Sequence, residues 1–226
     1  MKYILFGLSI LLLSVSCRES ADKEKYINGS IEYKITYLEN ELTQISPSLL
    51  PKKMKLEFNP HYSTNSIEGF MGFFKLYTYT NFKSKKCSTL LEVLNKKYLF
   101  KGKKGEGMCC FDKIDNMEIE HTNDNKMIAG LKCKKVIINL PNQDESFDIY
   151  YTDEIAIVNP NSTNPYNEID GILMDFQLKL AYLKMKFTAE KFIPAQNSKI
   201  IKFDLPDKYQ DVTRKQMTYI IRRLME

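Results

Sequence analysis

Few side chains in this 226-residue chain are placed to do chemistry. His61 and His121 stand in polar surroundings, and neither has a second ligand at metal-binding spacing. Neither the nucleophile motif G-x-S-x-G nor the zinc motif H-E-x-x-H occurs. Asp153 and Glu154 are neighbours, and on a strand neighbouring side chains point to opposite faces, so they cannot act as a carboxylate pair on one substrate. The five cysteines are Cys17, Cys87, Cys109, Cys110 and Cys133, with no C-x-x-C pair to suggest a metal. Lys101 to Gly107, KGKKGEG, superficially suggests a phosphate cradle. It lacks the G-K-[ST] that leads into a helix and reads as a solvated hairpin turn. These residues support no reaction, so the expectation is a non-enzyme needing neither cofactor nor metal.

Cys17 is the exception, because of what precedes it. Met1 to Ser16 has a positive start at Lys2, then an apolar run from Tyr3 to Leu13 broken only by Gly7 and Ser9, then small residues. That is the pattern of a secretory signal peptide. The run is shorter than the ~20 apolar residues that span a bilayer. Leu13-Ser14-Val15-Ser16-Cys17 resembles a bacterial lipoprotein signal, in which the cysteine becomes the lipidated first residue. The resemblance implies anchoring in the cell envelope through lipid, palmitate-type acyl chains, on Cys17, with the outer membrane as the expected address. An ordinary secretory signal with an incidental cysteine, or an inner-membrane anchor, is the plainer alternative. Residues 17–27 then form the lipidated cysteine and a charged tether. Arg18 to Lys25, RESADKEK, has no large apolar side chain with which to order itself. Assigning Cys17 to lipid leaves Cys87, Cys109, Cys110 and Cys133 in an oxidising compartment as disulfide candidates or free core thiols.

The elements that must position anything else are strands. Hydrophobic residues make up 43% of the chain, and 14 Tyr and 13 Phe with no Trp form a palette suited to half-buried sheets. Ile31, Tyr33, Ile35 and Tyr37 alternate with polar residues from Gly29 onward, as do Met54, Leu56 and Phe58. Tyr62 to Glu68, Leu76 to Thr80, Ser88 to Leu94, Tyr98 to Phe100, Met117 to Thr122, Val136 to Leu140 and Phe147 to Ile155 add further strand segments. Gly69 to Phe74, GFMGFF, reads either as a bulged strand or as an apolar flap over a ligand. Val158 to Ile169 has no period and reads as a long loop. Met174 to Leu180 and Leu183 to Ala189 alternate on opposite parities, which implies a tight hairpin or a bulge near Ala181-Tyr182. Ile200 to Leu205 suggests a last strand. After it, Asp211 is placed to cap a helix with Met217, Ile220, Ile221 and Leu224 on one face. Residues 28–226 read as one domain. A formal charge of +5 over this length is no nucleic-acid footprint.

Three motifs recur in a familiar order: IAGLKCKKV at Ile128 to Val136, IYYTDEI at Ile149 to Ile155, and IDGIL at Ile169 to Leu173. Across Gly29 to Tyr209 the chain resembles the GLPGLI-type proteins of Gram-negative lipoprotein collections and related domains that look like the lipoprotein carrier LolA. It departs from them at Asp170, which stands where they have proline. The resemblance implies a mainly β fold: a strongly curved antiparallel sheet, a half-barrel, with a short C-terminal helix. No enzymatic activity is attached to these families, and in carriers of this type the concave face holds lipid chains. The expected function is therefore a membrane-anchored, non-catalytic module that binds a lipid or other apolar ligand. Tyr33, Leu56, Phe58, Phe73, Phe176 and Leu178 are the candidate ligand-binding residues. The alternative is an accessory module that binds another envelope protein, for which the Val158 to Ile169 loop is the hint. No nucleic-acid partner is expected.

Overall fold

The computed structural model describes residues 25–42, 44–195 and 208–226. The signal segment, Cys17, most of the tether and the strand expected at Ile200 to Leu205 lie outside the described residues. The remainder is mainly β. Twelve strands form one open sheet: β1 (Gly29–Asn40), β2 (Lys53–Phe58), β3 (Tyr62–Glu68), β4 (Phe74–Asn81), β5 (Lys86–Val93), β6 (Lys96–Lys101), β7 (Glu118–Ile128), β8 (Leu131–Leu140), β9 (Glu145–Thr152), β10 (Ile172–Leu180), β11 (Leu183–Pro194) and β12 (Gln210–Asp211). The spatial order is β12-β6-β5-β4-β3-β2-β1-β11-β10-β9-β8-β7. All neighbours are antiparallel except β12 and β6. One α-helix, α1 (Arg214–Met225), ends the chain.

The alternation in the sequence is the alternation in the sheet. Ile31, Tyr33 and Ile35 are buried on one face and register against Leu56 and Met54 of β2 and against Phe192, Ala189 and Phe187 of β11. The predicted switch of parity is a two-residue hairpin, with Leu180 paired to Leu183 and Ala181 at φ 51°. Ile128 and Leu131 close a second two-residue turn through Ala129 and Gly130, both at positive φ, the geometry that suits the right-handed twist of the flanking strands. At the centre of the buried face Phe187 stacks on Phe176 with centroids 5.1 Å apart, and Tyr33 meets Phe176 edge-on at 5.9 Å. The Tyr33 hydroxyl donates to the Leu173 carbonyl at 2.8 Å, so the one polar atom of this cluster is satisfied.

Three local expectations are corrected. Lys101 to Gly107 is no hairpin: residues 102–117 carry the chain from β6, near one edge of the sheet, to β7 at the other. On the way Met108 N–H donates to Thr163 O (2.7 Å), Asp112 N–H donates to Lys179 O (2.9 Å), and Phe111 forms a bridge with Leu180. Gly69 to Phe73 is not a bulged strand but the β3–β4 connection, with a single 3-10 turn at 70–72 and Met71 at φ 51°, and Phe74 opens β4. Asp211 does not cap α1, since it belongs to β12. Thr213 does, through a capping box with Gln216. Val158 to Ile169 is a loop, as read, but it packs inward. Asn161, Thr163, Tyr166 and Ile169 are buried, and the Asn161 side-chain amide donates to Ile169 O and Gly171 O at 2.8 Å each.

Candidate functional site

Among the described residues, two hollows bordered by the buried face of the sheet differ in kind. One is a small gap of about 70 Å³ at the sheet centre, lined by Tyr33, Leu56, Phe176, Leu178 and Phe187 and roofed by Met108, Phe111, Asn161, Thr163 and Asn164. The other is an apolar pocket of about 580 Å³ at the end of the sheet where hairpin tips gather under α1. Its volume falls within the ~300–1,000 Å³ typical of ligand pockets.

The larger pocket is built from five pieces of chain. Tyr37 and the β1–β2 connection supply one wall through Leu42, Ile45, Leu49, Leu50 and Pro51. Ile67, Phe73, Phe74 and Leu76 come from the β3–β4 hairpin, and Val93 and Leu94 from the tip of β5. Leu180, Leu183 and Met185 close the far side, and Ile221, Leu224 and Met225 of α1 form the lid. No charged side chain lines it, and the tyrosine hydroxyl is already used: Tyr37 donates to Pro51 O at 2.7 Å. Burial pushes the Tyr37 phenol well above its ordinary range, so it stays neutral at physiological pH. With no acid, base, nucleophile or cation in its lining, such a pocket can exclude water and gain apolar contact.

α1 sits over the pocket because its apolar stripe recurs at helical spacing. Met217 and Ile221 are buried while Arg222 and Arg223 face outward. Its first turn is fastened by Arg214. The guanidinium donates to Glu106 Oε1 (2.8 Å), Met108 O (3.0 Å) and Gly107 O (2.5 Å). One turn on, the Thr218 hydroxyl lies 3.7 Å from Cys110 Sγ. The helix is thus tied at its start to the crossover, and its last turn closes the pocket.

Of the candidate residues, Phe73 alone lines the large pocket. Tyr33, Leu56, Phe176 and Leu178 lie together in the packed centre, and Phe58 is buried elsewhere, parallel to Phe192 at 6.4 Å. Cys87, Cys109, Cys110 and Cys133 are all free thiols in the structure, so it shows no pairing among them. Cys87, Cys109 and Cys133 are buried, and burial pushes the Cys87 and Cys133 thiols up to about 12. Cys109 is held below its ordinary value by the neighbouring Cys110 thiol and then by Arg214, and Cys110 is raised by the same contact. Asp153 and Glu154 lie in a bend just past the end of β9 and not on the strand: Asp153 pairs with Lys134 at 2.7 Å, and Glu154 accepts from the Lys132 amide at 3.3 Å. The residues that sequence reasoning missed are the tip residues Leu42, Ile45, Leu49 and Leu94 and the lid residues Leu224 and Met225. The available signal was apolar side chains in turns, where polar ones are the norm.

The three recurring motifs meet in space. Thr152 of the second donates from Oγ1 to Lys132 O of the first (2.9 Å) and pairs with Ile172 of the third. A Cβ on Gly171 would lie 2.6 Å from Thr152 O, so glycine is required by close approach. Their convergence fastens β8, β9 and β10 at the end of the sheet opposite the pocket.

No family model matches the chain, and no curated protein matches it. Among solved structures it is similar to PNGF-II, with a TM-score of 0.52 and 12% identity over 87% of this chain and 33% of that one. The likeness is one of fold. The present chain spans about a third of that protein's length.

Proposed function

We propose that this chain is a membrane-anchored envelope lipoprotein, LolA-like and GLPGLI-type, whose sheet curls into a half-barrel and holds a lipid chain or other apolar ligand beneath α1. It acts by binding and not by catalysis. The observation that carries this reading is the 580 Å³ pocket with no charged side chain in its lining. Each methylene buried there gains ~0.8 kcal/mol, so a long acyl chain is held by area alone. Curvature is supported by what shares a cavity. Val93 on β5 and Leu180 on β10 stand six strand positions apart, roughly 29 Å in a flat sheet at ~4.8 Å per step, yet both line the pocket. Thr78 of β4 and Phe176 of β10 likewise share the small central gap. The anchor rests on the signal-like segment ending at Cys17.

Solvent extraction of the purified protein followed by mass spectrometry is expected to release a lipid in stoichiometric amount. An apolar dye is expected to gain fluorescence with the stripped protein and lose it again on adding palmitate. A protein that carries no lipid and brightens no dye would sink the binding reading. For the anchor, Cys17→Ser is expected to release a soluble, folded domain, and a variant that stays in the membrane fraction overturns the lipoprotein assignment.

A further inference from the structure

The rim of the pocket is as unusual as its interior. Leu49, Met71, Phe73 and Leu94 are exposed by 45, 77, 55 and 71% and come from three separate connections at the same end of the sheet. They form one rim, since the Leu94 amide donates to the Phe73 carbonyl at 3.1 Å. Met71 and Leu94 both adopt φ 51°, the left-handed region that turns normally fill with Gly, Asn or Asp. At two tips, then, the chain accepts backbone strain and solvent exposure together to present an apolar side chain. Neither the fold nor the turn asks for that. Cations border the rim. Lys52 and Lys53 adjoin Pro51, Lys96 follows the Leu94 turn, and Arg222 follows Ile221; all are exposed and have no ion-pair partner among the described residues. The carboxylates beside them are largely engaged: Glu68 with Lys75, Glu92 with Lys97 and Glu226 with Arg223, leaving Glu41.

We propose that this rim is a membrane-docking surface: Leu49, Met71, Phe73 and Leu94 enter the interface of an anionic bilayer while Lys52, Lys53, Lys96 and Arg222 face its headgroups. An apolar fringe within a cationic border is the pattern of shallow interfacial insertion. Here the fringe is continuous with the pocket wall, because Leu49, Phe73 and Leu94 belong to both. An acyl chain passes from bilayer to pocket without crossing water. The inference rests on the apolar-ligand reading for what the docked mouth takes up.

The chain has no tryptophan, so one introduced indole reports on one place. Phe73→Trp at the rim and Val158→Trp at the opposite end, where Tyr26 bonds to Glu154 and Ala156, are compared in the Cys17→Ser chain, so that no anchor draws residue 158 to the vesicle. With vesicles of phosphatidylcholine and phosphatidylglycerol, the Phe73→Trp emission is expected to shift to the blue and be quenched by brominated lipid. Val158→Trp should stay unchanged. The signal should weaken with added salt and in pure phosphatidylcholine, and adding Met71→Asp and Leu94→Asp should lower vesicle partition at least tenfold. Equal responses at the two positions, or none at residue 73, overturn the docking surface. Dye binding in vesicle-free buffer is a separate readout: its loss with residue 73 still quenched overturns the ligand reading and leaves the docking surface standing.

Discussion

The two halves of the buried face begin from the same alternation and end differently because of what covers them. At the centre, residues 102–117 and the 158–169 loop lie across the sheet, bond to each other through Met108 N–H to Thr163 O, and bond to the sheet through Asp112 N–H to Lys179 O and the Tyr166 hydroxyl to Gln177 O at 2.5 Å. Backbone carried over a sheet must satisfy its own N–H and C=O groups, and doing so draws it down until about 70 Å³ remains. At the hairpin end the cover is α1. A helix satisfies its own backbone and touches the sheet only with side chains, so it can rest over a hollow. The choice of cover, and not the strand pattern, decides which half is core and which half is site.

Matched truncations are the sharpest way to break that contrast. Phe187→Ala at the filled centre, where the ring is fully buried against Phe176, is expected to cost ~3–5 kcal/mol in urea unfolding. Phe74→Ala in the half-buried pocket wall is expected to cost roughly 1 kcal/mol. Its effect appears instead in ligand linkage. Saturating palmitate, which at a hundredfold excess over Kd adds ~2.7 kcal/mol to the parent, should add clearly less to the variant. Equal costs at the two positions would mean that the hairpin end is ordinary core.

Gly171→Ala tests the motif end. Its new methyl would meet Thr152 O and Tyr151 Cδ2 at 2.6 Å, and forcing the strands apart should cost ~1–3 kcal/mol with dye affinity unchanged. A loss of dye binding at constant stability would connect the motif cluster to the pocket, contrary to the separation seen here.

The strands were legible because half-buried strands write a two-residue period into the sequence. Ile31 to Tyr37, Met54 to Phe58 and the Leu180/Leu183 hairpin follow it residue by residue. The crossover was not, because nothing in KGKKGEG distinguishes a hairpin tip from the start of a path across nine strands. That choice is made by which edge β7 joins. The site was legible in class and not in place. Tyr33, Leu56, Phe58, Phe176 and Leu178 alternate clearly with polar neighbours, and for that reason all five are buried in the core. The pocket falls where alternation ends, with the last strand residues such as Leu180, Leu183 and Met185 on one side and turn residues such as Leu42, Ile45 and Leu94, which carry no period, on the other. Phe73 was within reach only because GFMGFF is conspicuous as composition. The Thr213 cap was hidden by Asp211, an equally good cap residue two positions earlier that β12 takes up.

The smallest expected effect lies where the two halves are joined. Glu106 belongs to the crossover and Arg214 to the lid helix, 2.8 Å apart. The Lys103 backbone N–H, followed by the Arg214 guanidinium, holds the Glu106 carboxyl below its ordinary value of 4.5. A carboxylate whose folded value is depressed contributes its stabilisation in full above the ordinary value and loses it as pH falls through the folded one. Both side chains are about a third exposed, so the bond's contribution is modest. Urea midpoints of the parent and of Glu106→Gln should therefore differ by a constant amount at neutral pH and converge below about pH 4.5. Glu92, lowered chiefly by the Tyr209 hydroxyl, and Asp153, lowered chiefly by Lys134, give both proteins the same acid-side slope and cancel in the difference. Dye affinity should follow the same difference curve, because loosening Arg214 frees the start of the helix whose end closes the pocket. Converging midpoints with dye affinity unmoved would show that the lid is held by Met217 and Ile221 alone, and that the clamp fastens the crossover without governing the site.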